Sequence, residues 1–129
     1  MSDLPAENPS QLKKNIFGLQ RPEMFDCLVT SYAWGRQLLV IKLKRQNSPE
    51  VHYLRFSGVE FFCGPMHWRG ASFTQASDAE CLDLLRLLGR ASEFTEERHI
   101  QQIGTNLYQV DLEQIQIQII AHGVRRYAG

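Results

Sequence analysis

The chain has 129 residues, 43% of them hydrophobic and 22% charged, with 14 basic residues balanced by 14 acidic ones. That is one domain's worth of chain, with enough apolar content for its own core and no need of a disulfide or metal staple. Zero net charge argues against a global field that would draw in nucleic acid or an anionic membrane, and no apolar run approaches the length of a membrane span.

Residues 1–24 carry Pro5, Pro9 and Pro22 among polar side chains, which predicts an extended or partly disordered N-terminal segment. Ile16, Phe17 and Leu19 would pin that segment to a single α+β domain over 25–129. No apolar run follows Met1, and three widely spaced cysteines make no disulfide framework. The expectation is a cytoplasmic protein with reduced thiols and no cofactor.

From Phe25 the pattern turns to strands. The run from Cys27 to Trp34 is rich in β-formers, and Gly35 suits a hairpin to a second strand over 37–44. In that strand Leu39, Ile41 and Leu43 share one face. Asn47-Ser48-Pro49-Glu50 reads as a turn, because Asn and Ser bond their own backbone and proline presets its dihedral. A third strand runs over 51–56, Ser57-Gly58 allows a bend, and 59–63 is extended again.

Ser77 with Glu80 three residues later forms a capping box, and Cys81, Leu84, Leu85 and Leu88 then fall on one helical stripe. The spacing predicts a helix over 78–88, ended by Gly89 in the left-handed conformation. Residues 90–104 carry no clear period, and Phe94, Ile100 and Ile103 there suit either a short second helix or a loop. Tyr108, Val110 and Leu112 then alternate, followed by Ile115, Ile117 and Ile119 in the opposite phase. That slip of one residue requires a turn or a bulge near Glu113, and a hairpin is preferred. His122-Gly123 reads as a bulge within the last strand. The sum is an antiparallel meander of about six strands with one helix on a face. A QIQIQII edge left open would invite aggregation, so that strand is expected to be central, covered or paired across a dimer.

The densest chemistry lies in Phe62-Cys63-Gly64-Pro65-Met66-His67-Trp68-Arg69-Gly70. A nucleophilic pair of Cys63 and His67 needs hydrogen-bond reach and a third orienting group. A metal site would need a third and fourth ligand, and the chain has no CxxC and no HxxxH. The simpler account makes Cys63 a buried small hydrophobe, Trp68 a packed ring and His67 a loop residue. A further reading is recognition, because Trp, Arg and Met are enriched at binding surfaces. It puts Met66, His67, Trp68 and Arg69 in a contact loop, with Tyr32 and Trp34 behind them.

No acid–base or metal-ligand constellation stands out. The leading expectation is therefore a small non-catalytic interaction module, binding a protein partner or itself, with a homodimer among its arrangements and no nucleic-acid or membrane partner. The alternatives are an enzyme or metal site at Cys63 and His67, or a small-ligand pocket between sheet and helix lined by Leu84, Leu88 and the Ile115 face.

Overall fold

The computed structural model describes residues 15–129, with the Trp34 side chain left aside. The expected α+β class with antiparallel sheets holds, but there are nine strands in two sheets and two helices among the described residues. Strands β1 (Phe25–Ala33), β2 (Leu38–Arg45) and β3 (Val51–Ser57) form the expected meander. Gln37 and Asn47 take positive φ (52° and 57°) at the two connections, the second within the predicted turn.

The extended run expected over 59–63 holds the short strand β4 (Phe61–Cys63), the contact loop after it holds β5 (His67–Arg69), and a third short strand, β6 (Thr74–Gln75), follows. Runs of two or three residues are too short for an alternating pattern to show. Helix α1 (Asp78–Leu87) matches the capping-box prediction, with Ser77 Oγ accepting from the Glu80 amide at 3.2 Å. Of the two readings of 90–104, the short second helix is the one formed: α2 (Glu97–Ile103) has seven residues and buries only Ile100, too little for a clear period. Strands β7 (Asn106–Asp111) and β8 (Gln116–Ala121) form a hairpin closed by Leu112 N–H donating to Ile115 O at 2.9 Å. β9 (Gly123–Ala128) ends the chain's regular structure.

One sheet has the order β5-β1-β2-β3-β9 and the other β4-β8-β7-β6. The QIQIQII strand, β8, is therefore central in its sheet, between β4 and β7. His122 is not a bulge within one strand. The chain leaves the four-stranded sheet there and enters the five-stranded one as β9. β3 and β4 make the matching crossing at Gly58, so 51–63 and 116–128 form one bent ribbon shared by both sheets. Its corner is tied by His122 N–H to Ser57 O (3.0 Å) and Glu60 N–H to Ile120 O (2.8 Å). Gly58 sits at φ 62°, where a Cβ would lie 2.8 Å from His122 Cγ, so both backbone and space call for glycine.

The molecule has three layers. Between the sheets lies the main core, with Phe25, Leu39, Ile41, Leu43, Leu54 and Phe56 on one side and Tyr108, Val110, Ile117 and Ile119 on the other. Leu19 is buried in it, and Ile16 and Phe17 pack against it. A second core joins Leu107 and Ile120, on the other face of the four-stranded sheet, to Cys81, Leu82, Leu85 and Ile100 of the helices. The outer face of the five-stranded sheet has no layer over it among the described residues. No helix is long and apolar enough to cross a membrane.

Candidate interaction surface

The alternation of β5 separates the residues expected to form one contact loop. Trp68 points into the main core, is 5% exposed, and donates its indole N–H to Gly70 O at 2.9 Å. That burial removes Trp68 from the contact patch expected of it. His67 and Arg69, one residue to either side, face outward from the five-stranded sheet. Met66 is exposed between β4 and β5, and its carbonyl accepts from Val29 N–H at 2.8 Å. Tyr32 lies at the far end of β1, edge-on to Phe62 at 5.7 Å, away from the other four. The Trp34 side chain lies outside the described residues.

Cys63 and His67 belong to edge strands of different sheets, and no hydrogen bond joins them. Cys63 is exposed, not the buried hydrophobe of the simpler account. The buried thiols are the other two. Burial and then Asp26 push Cys27 up to about 12, and burial, Asp78 and Glu60 push Cys81 up to about 12. Both stay protonated and poorly nucleophilic near neutral pH. Among the described residues, no three His, Cys, Asp or Glu side chains are grouped closely enough to hold a metal ion. The space between sheet and helices is filled by the second core. Ile117 and Ile119 face the other sheet, and Leu88 and Ile115 are exposed, so those positions do not line a common pocket there.

What the fold does assemble is the outer face of the five-stranded sheet. Strand registers line up outward side chains in rows. One row runs His67, Leu28, Lys42, Tyr53, Tyr127, across all five strands and roughly 19 Å. The next places Val40, Arg55 and Arg125 side by side, and another Arg69, Asp26 and Lys44. The Tyr53 and Tyr127 rings stack at 5.7 Å with 20° between their planes. Leu28 and Tyr127 are 44% and 43% exposed.

Charge is segregated by layer. The five strands of this sheet carry Lys42, Lys44, Arg45, Arg55, Arg69, Arg125 and Arg126 against the single acid Asp26. Arg45 and Arg126 turn aside to accepting carbonyls, Arg45 Nη1 to Gln20 O (2.8 Å) and Arg126 Nη1 to Phe17 O (2.9 Å). The other five cations lie on the outer face. There Asp26 is taken by Arg69 (3.2 Å), and Lys44 donates to Ser48 O (2.7 Å). Arg55 and Arg125 face each other across β3 and β9, and among the described residues no acid pairs with either. Beside them Ser57 and Gly123 leave an open hollow of about 690 Å³, bordered also by Val124 and Tyr127.

Sequence reasoning singled out none of Lys42, Tyr53, Arg55, Arg125 and Tyr127 as contact residues. The signal was present in β3, where Tyr53 and Arg55 alternate with the buried Leu54 and Phe56. Compared with known protein families, curated proteins and solved structures, the chain matches none.

Proposed function

We propose that the protein is a non-catalytic interaction module, and that the outer face of its five-stranded sheet is the surface on which an acidic protein partner docks. The observation that carries this reading is the Arg55–Arg125 pair. Like charges directly opposite across two strands destabilise a sheet. A partner carboxylate between them would turn that repulsion into two charge-assisted hydrogen bonds. Tyr and Arg are the residues that dominate binding energy at interfaces, and here they adjoin with half-exposed apolar side chains beside them. The cationic face would also steer an acidic partner during encounter. Three free thiols fit a reducing compartment such as the cytoplasm. A nucleophilic role for Cys63 lacks comparable support, because His67 does not bond it.

The test is fluorescence anisotropy with a labelled poly-glutamate peptide as a stand-in for an acidic surface. The unaltered protein should bind it, and binding should weaken as salt rises. Arg55→Glu/Arg125→Glu should abolish binding without lowering the melting temperature, whereas Cys63→Ser should change nothing. Equal binding by the double charge-reversal variant would overturn the assignment.

A further inference from the structure

The layer order places opposite charge on opposite sides of one neutral molecule. The helices cover the outer face of the four-stranded sheet, on the far side from the cationic strands. The span 77–104 carries Asp78, Glu80, Asp83, Glu93, Glu96 and Glu97 against three arginines. All three arginines are engaged: Arg86 donates to the carbonyls of Ser92, Glu93 and Thr95, Arg90 pairs with Glu60 at 3.8 Å, and Arg98 pairs with Glu96 at 2.7 Å. Among the described residues Asp83, Glu93 and Glu97 have no cationic partner, and all three line a second open hollow. Phe94, at its rim, is 83% exposed, and Leu87 of α1 is 82% exposed. The described residues leave both side chains uncovered on this acidic surface, where they are open to a partner.

We infer that the occupant of the sheet face is a second copy of this chain, presenting its helix layer head to tail; the inference rests on the contact surface proposed above. Each side holds what the other lacks. Arg55 and Arg125 want carboxylates, and Asp83, Glu93 and Glu97 want cations. The Phe94 ring, projecting among acids, suits the hollow beside Arg55, Arg125 and Tyr127, where a guanidinium can lie over its face. The sheet face cannot meet itself, because that would set five cations against five. The same repulsion keeps two helix layers apart. The contact is therefore heterologous. Each copy added leaves one free face of each kind, so the assembly grows as an open chain and does not close into a two-fold dimer. Zero net charge means that growth builds up no net repulsion.

Sedimentation velocity on the full chain tests this. The unaltered protein should pass beyond a dimer as concentration rises at low salt, and return to monomer at high salt. Arg55→Glu/Arg125→Glu and Asp83→Lys/Glu93→Lys should each stay monomeric with unchanged melting temperatures. Each keeps the one face the other has lost, and the two reversed faces are again opposite in charge, so an equimolar mixture should regain the association that neither variant shows alone. Phe94→Ser should weaken association roughly tenfold or more. An unaltered protein that stays monomeric at every concentration, or a mixture that fails to associate, overturns the inference. So does a closed dimer that survives either charge reversal. A monomer that still binds poly-glutamate through Arg55 and Arg125 would keep the contact surface and assign it to a different acidic protein. Loss of both results would remove surface and occupant together.

Discussion

Replacing Trp68 with alanine should destabilise the fold by about 3–5 kcal/mol. The indole lies in the main core at 5% exposure, and burial of about 200 Å² at about 25 cal/mol per Å² corresponds to ~5 kcal/mol. Partial collapse around the vacated space returns some of that. Loss of the 2.9 Å bond to Gly70 O adds little, because Cys27 Sγ also reaches that carbonyl at 3.5 Å. Against a total of about 5–15 kcal/mol, the loss removes a large fraction of stability and lowers the melting temperature by about 10–20 °C. The assay is urea unfolding followed by circular dichroism, with His67→Ala and Arg69→Ala as controls from the same strand. Both controls should stay within about 1 kcal/mol, since exposed side chains and surface ion pairs such as Arg69–Asp26 contribute little. A Trp68→Ala variant that loses under about 1 kcal/mol, or a His67→Ala variant that loses as much as Trp68→Ala, would refute the packing argument.

Alkaline pH should weaken the fold through Cys27 and Cys81, both raised from 9.0 to about 12 by burial and nearby acids. Below pH 9 both states hold these protons. Between 9 and about 12 the unfolded chain ionises its thiols and the folded chain does not, so stability falls by about 1.4 kcal/mol per pH unit per thiol. Melting temperatures measured from neutral to alkaline pH should fall less steeply in Cys27→Ala/Cys81→Ala than in the unaltered protein, and equal slopes would sink the idea. Gly58→Ala should destabilise by about 2 kcal/mol or more, from positive φ and the clash with His122. Adding His122→Ala should restore part of that loss. A double-mutant cycle in urea that shows simple additivity would mean the two residues do not meet at the corner.

Local chemistry was legible where a pattern ran long enough to repeat. The alternation over 37–44 put Leu39, Ile41 and Leu43 on one face, which is the buried face of β2, and the capping box of Ser77 and Glu80 placed α1. The opposite phases of Tyr108-Val110 and Ile117-Ile119 gave the hairpin, because a slip of one residue must be absorbed by a turn or a bulge. Where elements were short, the signal was too weak. β5 and β6 hold two or three residues each, and α2 offers a single buried side chain.

The contact residues show the same division. His67 and Arg69 were singled out from the sequence, and they do face outward on β5. Trp68 was singled out with them, yet one position along a strand reverses a side chain from surface to core. Tyr53, Arg55, Arg125 and Tyr127 stand about 70 residues apart in the chain and became neighbours only through the β3–β9 pairing.

By itself the sequence determined the class of the fold, the inward face of its long strands and the position of one helix, because those follow from side-chain period and capping within a few residues. Only the tertiary structure decided that 51–63 and 116–128 bend together from one sheet into the other, since pairing over that separation leaves no local mark. It also decided the charge. Equal numbers of acids and bases read along the chain as neutrality, but stacking two sheets and a helix layer sorted them to opposite faces, and a molecule without net charge acquired two strongly charged sides.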